Sequence, residues 1–279
     1  MQFLQAKGGI SMNNIFSYEF MQRAFIVAML IAFTAPCIGV NIVLKRLSAI
    51  GDAASHTALA GIAFGLIMGI NPILGAVIFS VLAVLAIEGL RKSFSHYAEI
   101  GTAVVMSAGI GLTAVLSGFI SDGSNNINSF MFGSIVAISD FEMYLTVGIG
   151  ITVLAVSMLL YKELFFITFD EEAAKLAGVP VRGINFILML LTAVTVSTAS
   201  RVVGALMVSS LMVIPVAAAM LIAKSYKQTL VISVVTAEIS TVLGLIISFY
   251  MDLRPGGTIV LTGVVILIVM MIITRRRRI

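Results

Sequence analysis

The sequence predicts an all-α protein, built as one polytopic bundle of eight to nine transmembrane helices. Hydrophobic residues make up 60% of its 279 positions and charged residues only 11%, whereas an average soluble domain is about 25% charged. Several stretches exceed about 18 apolar residues with few charges, which is the length that crosses a bilayer as a helix. We divide the chain into a polar N-terminal segment (1–18), a single membrane domain (19–274) and a basic tail (275–279).

Nine hydrophobic segments follow one another along the chain, with turn residues between them. They cover about 20–44, 53–70, 72–90, 99–120, 142–161, 184–200, 202–222, 229–250 and 257–274. The "SDGSNNINS" stretch (121–129) is predicted to be a polar loop and "RPGG" (254–257) another break. Ser197, Ser200 and Arg201 interrupt the region 184–222, so it forms either two spans or one span and a short helix.

The distribution of basic residues predicts which loops lie on which side of the membrane. If Arg275–Arg278 lie in the cytoplasm, alternate loops place 13 of the 17 Lys and Arg residues on that side. The positive-inside rule favours this orientation. It predicts a multi-pass membrane protein whose basic tail, Arg275–Arg278, contacts anionic lipid heads on the cytoplasmic side.

Several function classes are excluded or disfavoured by what the sequence lacks. It has no GxxxxGK[ST] loop for ATP and no HExxH or GxSxG motif, so neither nucleotide hydrolysis nor known hydrolase chemistry is expected. Its basic residues are not interleaved with aromatics on a soluble face, so nucleic-acid binding is not expected. The single Cys37 is predicted to be a buried, inert thiol.

Asp52 and His56 are the most informative pair. They lie four residues apart in "GDAASHTALAG" (51–61), so they share one helix face. A carboxylate and an imidazole suit Zn²⁺, Mn²⁺ or Fe²⁺, and a two-fold dimer would supply two of each. The alternative is structural: Asp52 caps the N-terminus of the helix and His56 bonds to it.

Other ionisable residues give weaker signals. Glu238 lies within an apolar segment, so it is a candidate for the transport pathway, although a buried interhelical hydrogen bond is an equal alternative. Glu88 is expected to pair with Arg91 or Lys92, and His96 to be a solvated loop residue. Asp252 and Arg254 are expected to face water at a turn.

The stretch "FDEEAAKLAGVP" (169–180) is predicted to form a short helix between two spans. Its acidic residues suit the N-terminal turn, and Gly178 with Pro180 beyond it suits the C-terminal end. Taken alone, this pattern is typical of a solvated interhelical loop.

Together these pieces resemble the permease subunits of bacterial metal-ion ABC importers of the zinc/manganese type. The resemblance covers roughly residues 18–274 and rests on five blocks. They are "VLKRLSAIGDAASHTALAGIAFG" (43–65), "MFGSIVAISD" (131–140), "FDEEAAKLAGVP" (169–180), "VVGALMVSSLMVIPVAAAMLIA" (202–223) and "GLIISFYMDLRPGGTIVL" (244–261).

The resemblance implies a homodimer whose subunits each dock on a cytoplasmic ABC ATPase, with metal delivered by an external binding protein. It also implies that Asp52 and His56 contact the passing metal. "EAAKLAG" (172–178) resembles the docking motif of ABC importers. That likeness implies ATPase contacts at Glu172, Ala173, Ala174 and Gly178, and the loop 221–229 with Lys224 and Lys227 is the alternative.

The transported ion is predicted to be Zn²⁺, because the "HTALAGIAFGLIMGINP" region looks closer to the zinc branch; Mn²⁺ or Fe²⁺ is the alternative. No resident cofactor is expected. Two other functions stay open at this point. One is a proton-coupled secondary transporter with Asp52, His56 and Glu238 as a relay, and the other is a membrane-embedded enzyme around a bound metal.

Overall fold

A computed structural model describes residues 17–93, 98–120, 124–134 and 139–276. Within these ranges the regular structure is helical, as the sequence predicts. Eight of the described helices are long and apolar enough to cross a membrane. The helices are α1 (Glu19–Leu44), α2 (Ala49–Met68), α3 (Pro72–Ser93), α4 (Ala98–Ser117), α5 (Ser124–Phe132), α6 (Asp140–Leu159), α7 (Tyr161–Phe169), α8 (Glu171–Leu176), α9 (Val181–Ala199), α10 (Ala205–Met220), α11 (Tyr226–Met251) and α12 (Pro255–Arg276).

The prediction of a polar loop over 121–129 is wrong for its described part, because residues 124–132 form helix α5. Ile127 and Phe130 lie three positions apart and are both buried, so they share one helical face. Phe130 packs in a cluster with Ala58 and Leu59 of α2. Burial of this short apolar face outweighs the turn-forming tendency of the Ser and Asn residues in the helix.

The region 184–222 forms two helices that run in opposite directions. α9 ends in a five-residue π-helical turn, Ser200–Gly204, and Gly204 has φ of 89°, a conformation that favours glycine. Asn185 near the start of α9 bonds to Lys45, and Val216 near the end of α10 packs with Val40. Both sites lie at the same end of α1, so the chain reverses at the turn.

α10 has only 16 residues, about 24 Å of helix at 1.5 Å per residue. It therefore falls short of the length of a complete span. Because the chain nevertheless reverses around it, the described helices run nine times from one end of the bundle to the other, and the start of α1 and the end of α12 lie at opposite ends.

Helix α2 lies in the interior of the bundle. In its most apolar window 72% of the residues are buried, against 22% for α4 and 17% for α6. Small residues allow this close packing: a methyl group on Gly61 would overlap the carbonyl oxygen of Gly75 in α3. Close contacts between small residues are typical of helices packed in membranes.

The basic residues collect at one end of the bundle, which we call the inner end. It is defined by the α1–α2 turn with Lys45, and it includes Arg91, Lys175 and Arg182 around one cleft. At the other, outer end, Arg23 of α1 pairs with Asp140 at the start of α6. The positive-inside rule assigns the inner end to the cytoplasm, in agreement with the orientation predicted from the sequence.

Candidate functional site

Asp52 and His56 form an accessible stripe on the first two turns of α2. Asp52 is exposed and His56 is partly exposed, whereas Gly51, Ala53, Ala54 and Ser55 are all buried. Because the neighbouring positions of α2 are covered by other helices, the face that carries Asp52 and His56 is the accessible face of this part of the helix. We call it the Asp52 stripe. The spacing of four residues places both side chains on one face of the helix, as the sequence predicts, and the structure leaves that face accessible.

The backbone beneath the stripe is held by neighbouring helices. Gly109 of α4 lies against the backbone of His56 and Thr57, where an added methyl group would come within 3.0 Å of the His56 carbonyl carbon. The Thr113 hydroxyl donates to the His56 carbonyl oxygen at 3.3 Å. On another side, Gly51 faces Ser209 of α10. The two side chains therefore project from a rigid support.

The structural alternative for Asp52 and His56 is not observed. The N-cap of α2 is Ser48, and no side chain caps the helix. Within the described ranges, neither the Asp52 carboxylate nor the His56 ring has a hydrogen bond or ion pair. Nor do the described residues contain a group of three or more His, Cys, Asp or Glu side chains able to hold a metal. One copy of the chain therefore offers a pair of ligands.

Glu238 lies apart from this stripe. It is midway along α11, which packs mainly against α1, α10 and α12, whereas α2 packs mainly against α3, α4, α9 and α10. One oxygen of its carboxyl group is buried without a hydrogen-bond partner among the described residues. The structure thus does not place Glu238 on a helix adjoining the Asp52 stripe, and its pathway role stays a prediction.

The segment 169–180 folds as predicted into a short helix, α8. The Asp170 carboxylate accepts a hydrogen bond from the Ala173 backbone N–H at 2.8 Å and caps the helix. Gly178, with φ of 83°, ends it. Ala174 is fully buried against the bundle, whereas Glu172 and Gly178 are exposed. One face of α8 is thus anchored and the other is presented at the inner end.

Leu176 is a further feature of this face that the sequence analysis missed. Its side chain is 90% exposed, although it belongs to a short helix that packs on the protein. Single exposed apolar residues are common on protein surfaces, so Leu176 is of interest because it lies on the exposed part of the segment that resembles the docking motif. The signal in the sequence was an apolar residue within a charged, short helix.

The second candidate segment, 221–229, lies beside the first. Lys224 and Lys227 are exposed, while Tyr226 between them is buried. The Tyr226 ring packs on Phe165 and Phe169 of α7, with ring centroids 5.3 and 6.1 Å apart. Because α7 leads directly into α8, the two segments that the sequence offers as alternatives form neighbouring parts of one inner surface.

A cleft of about 950 Å³ opens next to α8, between the inner ends of α1, α3 and α9. Glu88 pairs with Arg91 at 3.8 Å, as expected from the sequence. Lys45 pairs with Glu171 at 3.5 Å. Burial lowers the pKa of Lys45 from its ordinary value; Glu171 opposes this effect and the like charge of Arg91 adds to it.

Comparison with known families decides the class of this bundle. Residues 17–274 match the model of the ABC 3 transport family. The chain belongs to this family. The resemblance stated from the sequence is thereby confirmed: the chain is a permease subunit of the metal-ion ABC importer type, and it is a multi-pass membrane protein.

Named relatives of this permease cover nearly its whole length. A probable metal transport system membrane protein of Treponema pallidum is 34% identical over 89% of the permease and 93% of the relative. The manganese import system permease protein ScaB of Streptococcus parasanguinis is 32% identical over 89% and 88%. A manganese transport system membrane protein MntC of Listeria monocytogenes is 28% identical over 91% and 90%.

Solved structures share the fold. PsaBC from Streptococcus pneumoniae, in complex with Fab, superposes with a TM-score of 0.84 at 29% identity over 93% of each chain. An inward-facing conformation of a putative metal-chelate type ABC transporter gives a TM-score of 0.70 at 15% identity, over 90% of the permease and 85% of that chain. The second comparison supports the helix arrangement alone.

Proposed function

We propose that this permease carries a divalent transition-metal ion into the cell, with Asp52 and His56 as ligands in its path. The observation that carries the proposal is the stripe on α2. A carboxylate and an imidazole share the accessible face of a helix that is otherwise enclosed, and neither has a partner within the described residues. Ionisable groups placed this way in a membrane segment usually line a pathway.

The proposed site is shared between two copies of the chain. One copy supplies a carboxylate and an imidazole, and two copies related by a two-fold axis would supply two of each. Oxygen and nitrogen ligands of this kind suit first-row divalent metals. Without thiolates the site would hold the ion weakly enough to release it, which transport requires.

Manganese is the substrate that we place first. Carboxylate ligands suit Mn²⁺ and imidazole suits Zn²⁺, so the ligand pair does not choose between them. Relatives named for manganese import are 32% and 28% identical to this chain over about nine-tenths of its length. They weigh against the preference for Zn²⁺ drawn from the sequence, so Zn²⁺ becomes the alternative, together with Fe²⁺.

Energy would come from a separate ATPase bound at the inner end. The chain has no phosphate-binding loop of its own, so ATP can act on the helices only through a partner that favours one state of the bundle. The exposed face of α8, with Glu172 and Gly178, is the proposed contact, and Lys224 and Lys227 lie on the neighbouring part of the same surface. An external binding protein would deliver the ion at the outer end.

Uptake of radioactive Mn²⁺ tests the proposal. The permease is expressed with its cognate ATPase and binding protein in cells that lack their own metal importers. We expect Asp52→Asn and His56→Ala to abolish ATP-dependent uptake while the complex still assembles. Glu99→Gln is the matched control, because Glu99 is also an exposed acid in the first turn of a neighbouring helix. Uptake by His56→Ala at the rate of the unaltered permease would refute the ligand role.

Two more measurements test which metal ion is transported and whether two chains share one metal site. Excess unlabelled Zn²⁺ should compete poorly with Mn²⁺ uptake; stronger inhibition by Zn²⁺ than by unlabelled Mn²⁺ would reverse the assignment. Mn²⁺ titration of the purified permease, followed by electron paramagnetic resonance, should reach one bound ion per two chains. A ratio of one ion per chain would contradict the shared site.

A further inference from the structure

Lys45 stands at the point where α1 ends and the turn toward α2 begins. Its side chain is only 10% exposed, although it carries a charge. The ammonium group donates to the Asn185 carboxamide oxygen at 2.6 Å and pairs with the Glu171 carboxylate at 3.5 Å. A charge that is withdrawn from water in this way must be partnered to be tolerated.

The two partners of Lys45 belong to different elements. Glu171 is the first residue of α8, and Asn185 lies in the second turn of α9. The side chain therefore ties the short docking helix and the start of a membrane span to the inner end of α1. Within the described ranges it is a link from α8 to the turn that precedes the Asp52 stripe.

The backbone between Lys45 and Asp52 forms a short turn that is held by backbone hydrogen bonds. Arg46 takes a left-handed conformation with φ of 58°, and the Leu47 N–H bonds back to the Ile42 carbonyl at 2.8 Å. The Ile50 N–H then bonds to the Leu47 carbonyl at 2.9 Å. A turn closed at both ends has little freedom, so a displacement of Lys45 is passed to the first turn of α2.

Lys175 is the natural comparison for Lys45. It also pairs with Glu171, at 3.8 Å, but it lies on α8 itself and is 57% exposed. Exposed pairs of this kind contribute little to stability, and this one connects α8 only to itself. The two lysines share a partner and differ in whether they join α8 to α1.

We propose that Lys45 is the positioning residue that couples the docking helix α8 to the Asp52 stripe. This inference rests on the proposed function, since it assigns the ATPase contact to α8 and the metal contact to α2. A movement of α8 that is driven by the ATPase would displace Glu171 and, through the ion pair, Lys45. The displacement of Lys45 would then change the position of the first turn of α2. Lys45 itself touches neither metal nor nucleotide in this scheme.

Hydrogen exchange of the purified permease tests the link without any transport. Lys45→Gln removes the charge, and we expect amide exchange to rise about ten-fold both in α8 and in the first two turns of α2. Asn185→Ala, which leaves α1 unaltered, should act in the same direction. Lys175→Gln should leave exchange in α2 unchanged. Equal exchange in α2 for Lys45→Gln and Lys175→Gln would overturn the proposal.

The reconstituted complex with its ATPase supplies the second readout. Lys45→Gln should retain ATP hydrolysis while metal uptake per ATP falls about ten-fold, and Lys45→Arg should restore most of the coupling because it keeps the charge. Unchanged uptake per ATP in Lys45→Gln would overturn the inference. If the unaltered complex moves no metal, the proposed function fails, and the exchange experiment still decides the link.

Discussion

The carboxamide of Asn41 accepts a hydrogen bond from the Tyr226 hydroxyl at 2.9 Å, across 185 positions of sequence. The same oxygen accepts from the Thr168 hydroxyl at 3.1 Å, and its amide nitrogen donates to the Cys37 carbonyl at 3.2 Å. Asn41 is 1% exposed. One buried side chain of α1 thus joins α7, which leads into α8, to the start of α11.

Asn41→Leu should destabilise the permease. The leucine fills a similar space but leaves the Tyr226 hydroxyl without its partner, whereas Thr168 keeps a second bond to the Leu164 carbonyl. A buried donor without a partner costs about 1–3 kcal/mol. We expect the free energy of unfolding, measured by thermal denaturation in detergent, to fall by about 2 kcal/mol.

The double variant Asn41→Leu with Tyr226→Phe isolates this bond. Tyr226→Phe alone should cost about 1 kcal/mol, and the double variant should be no less stable than Asn41→Leu, because the unpaired hydroxyl is then absent. Costs that simply add would show that the two residues do not interact.

Gly61→Ala should disrupt the contact between α2 and α3. A methyl group on Gly61 would overlap the Gly75 carbonyl oxygen, and a methyl on Gly75 would overlap the Gly61 carbonyl oxygen in turn. The backbones cannot separate without disturbing the packing, so we expect a loss of about 3 kcal/mol in the same denaturation assay. Gly148→Ala is the matched control, since nothing lies within 4 Å of the added atom. An equal effect of both variants would contradict this packing.

The sequence predicts most of the fold because membrane spans are a local property. The predicted segment 20–44 differs by one residue from α1, Glu19–Leu44, since apolar length and flanking charges determine both ends. Helix α5 was missed because its stability depends on burial of Ile127 and on packing of Phe130 against the distant helix α2. Two apolar residues three positions apart are too few for a helical periodicity to be recognised in the sequence.

The same distinction between local sequence properties and contacts with distant residues applies to the candidate site. The Asp52 and His56 pair could be found because both lie on one helix, and helical spacing is visible in the sequence. Lys45 and Asn41 were missed, because their partners are 126 to 185 positions away. A polar residue near the end of an apolar helix is most simply interpreted as membrane-surface anchoring, and only the three-dimensional packing reveals the link.

Leu176→Ser should weaken binding of the ATPase to the permease. Leu176 is 90% exposed on α8, so its replacement costs the isolated permease little, and a partner that buries it would lose a central apolar contact. We expect about ten-fold weaker association in co-purification from detergent. Phe119→Ser is the control, because Phe119 is 71% exposed but lies after α4 at the outer end. The paired substitutions Lys224→Ala and Lys227→Ala complete the test: if they release the ATPase and Leu176→Ser does not, the contact lies on the 221–229 segment instead of α8.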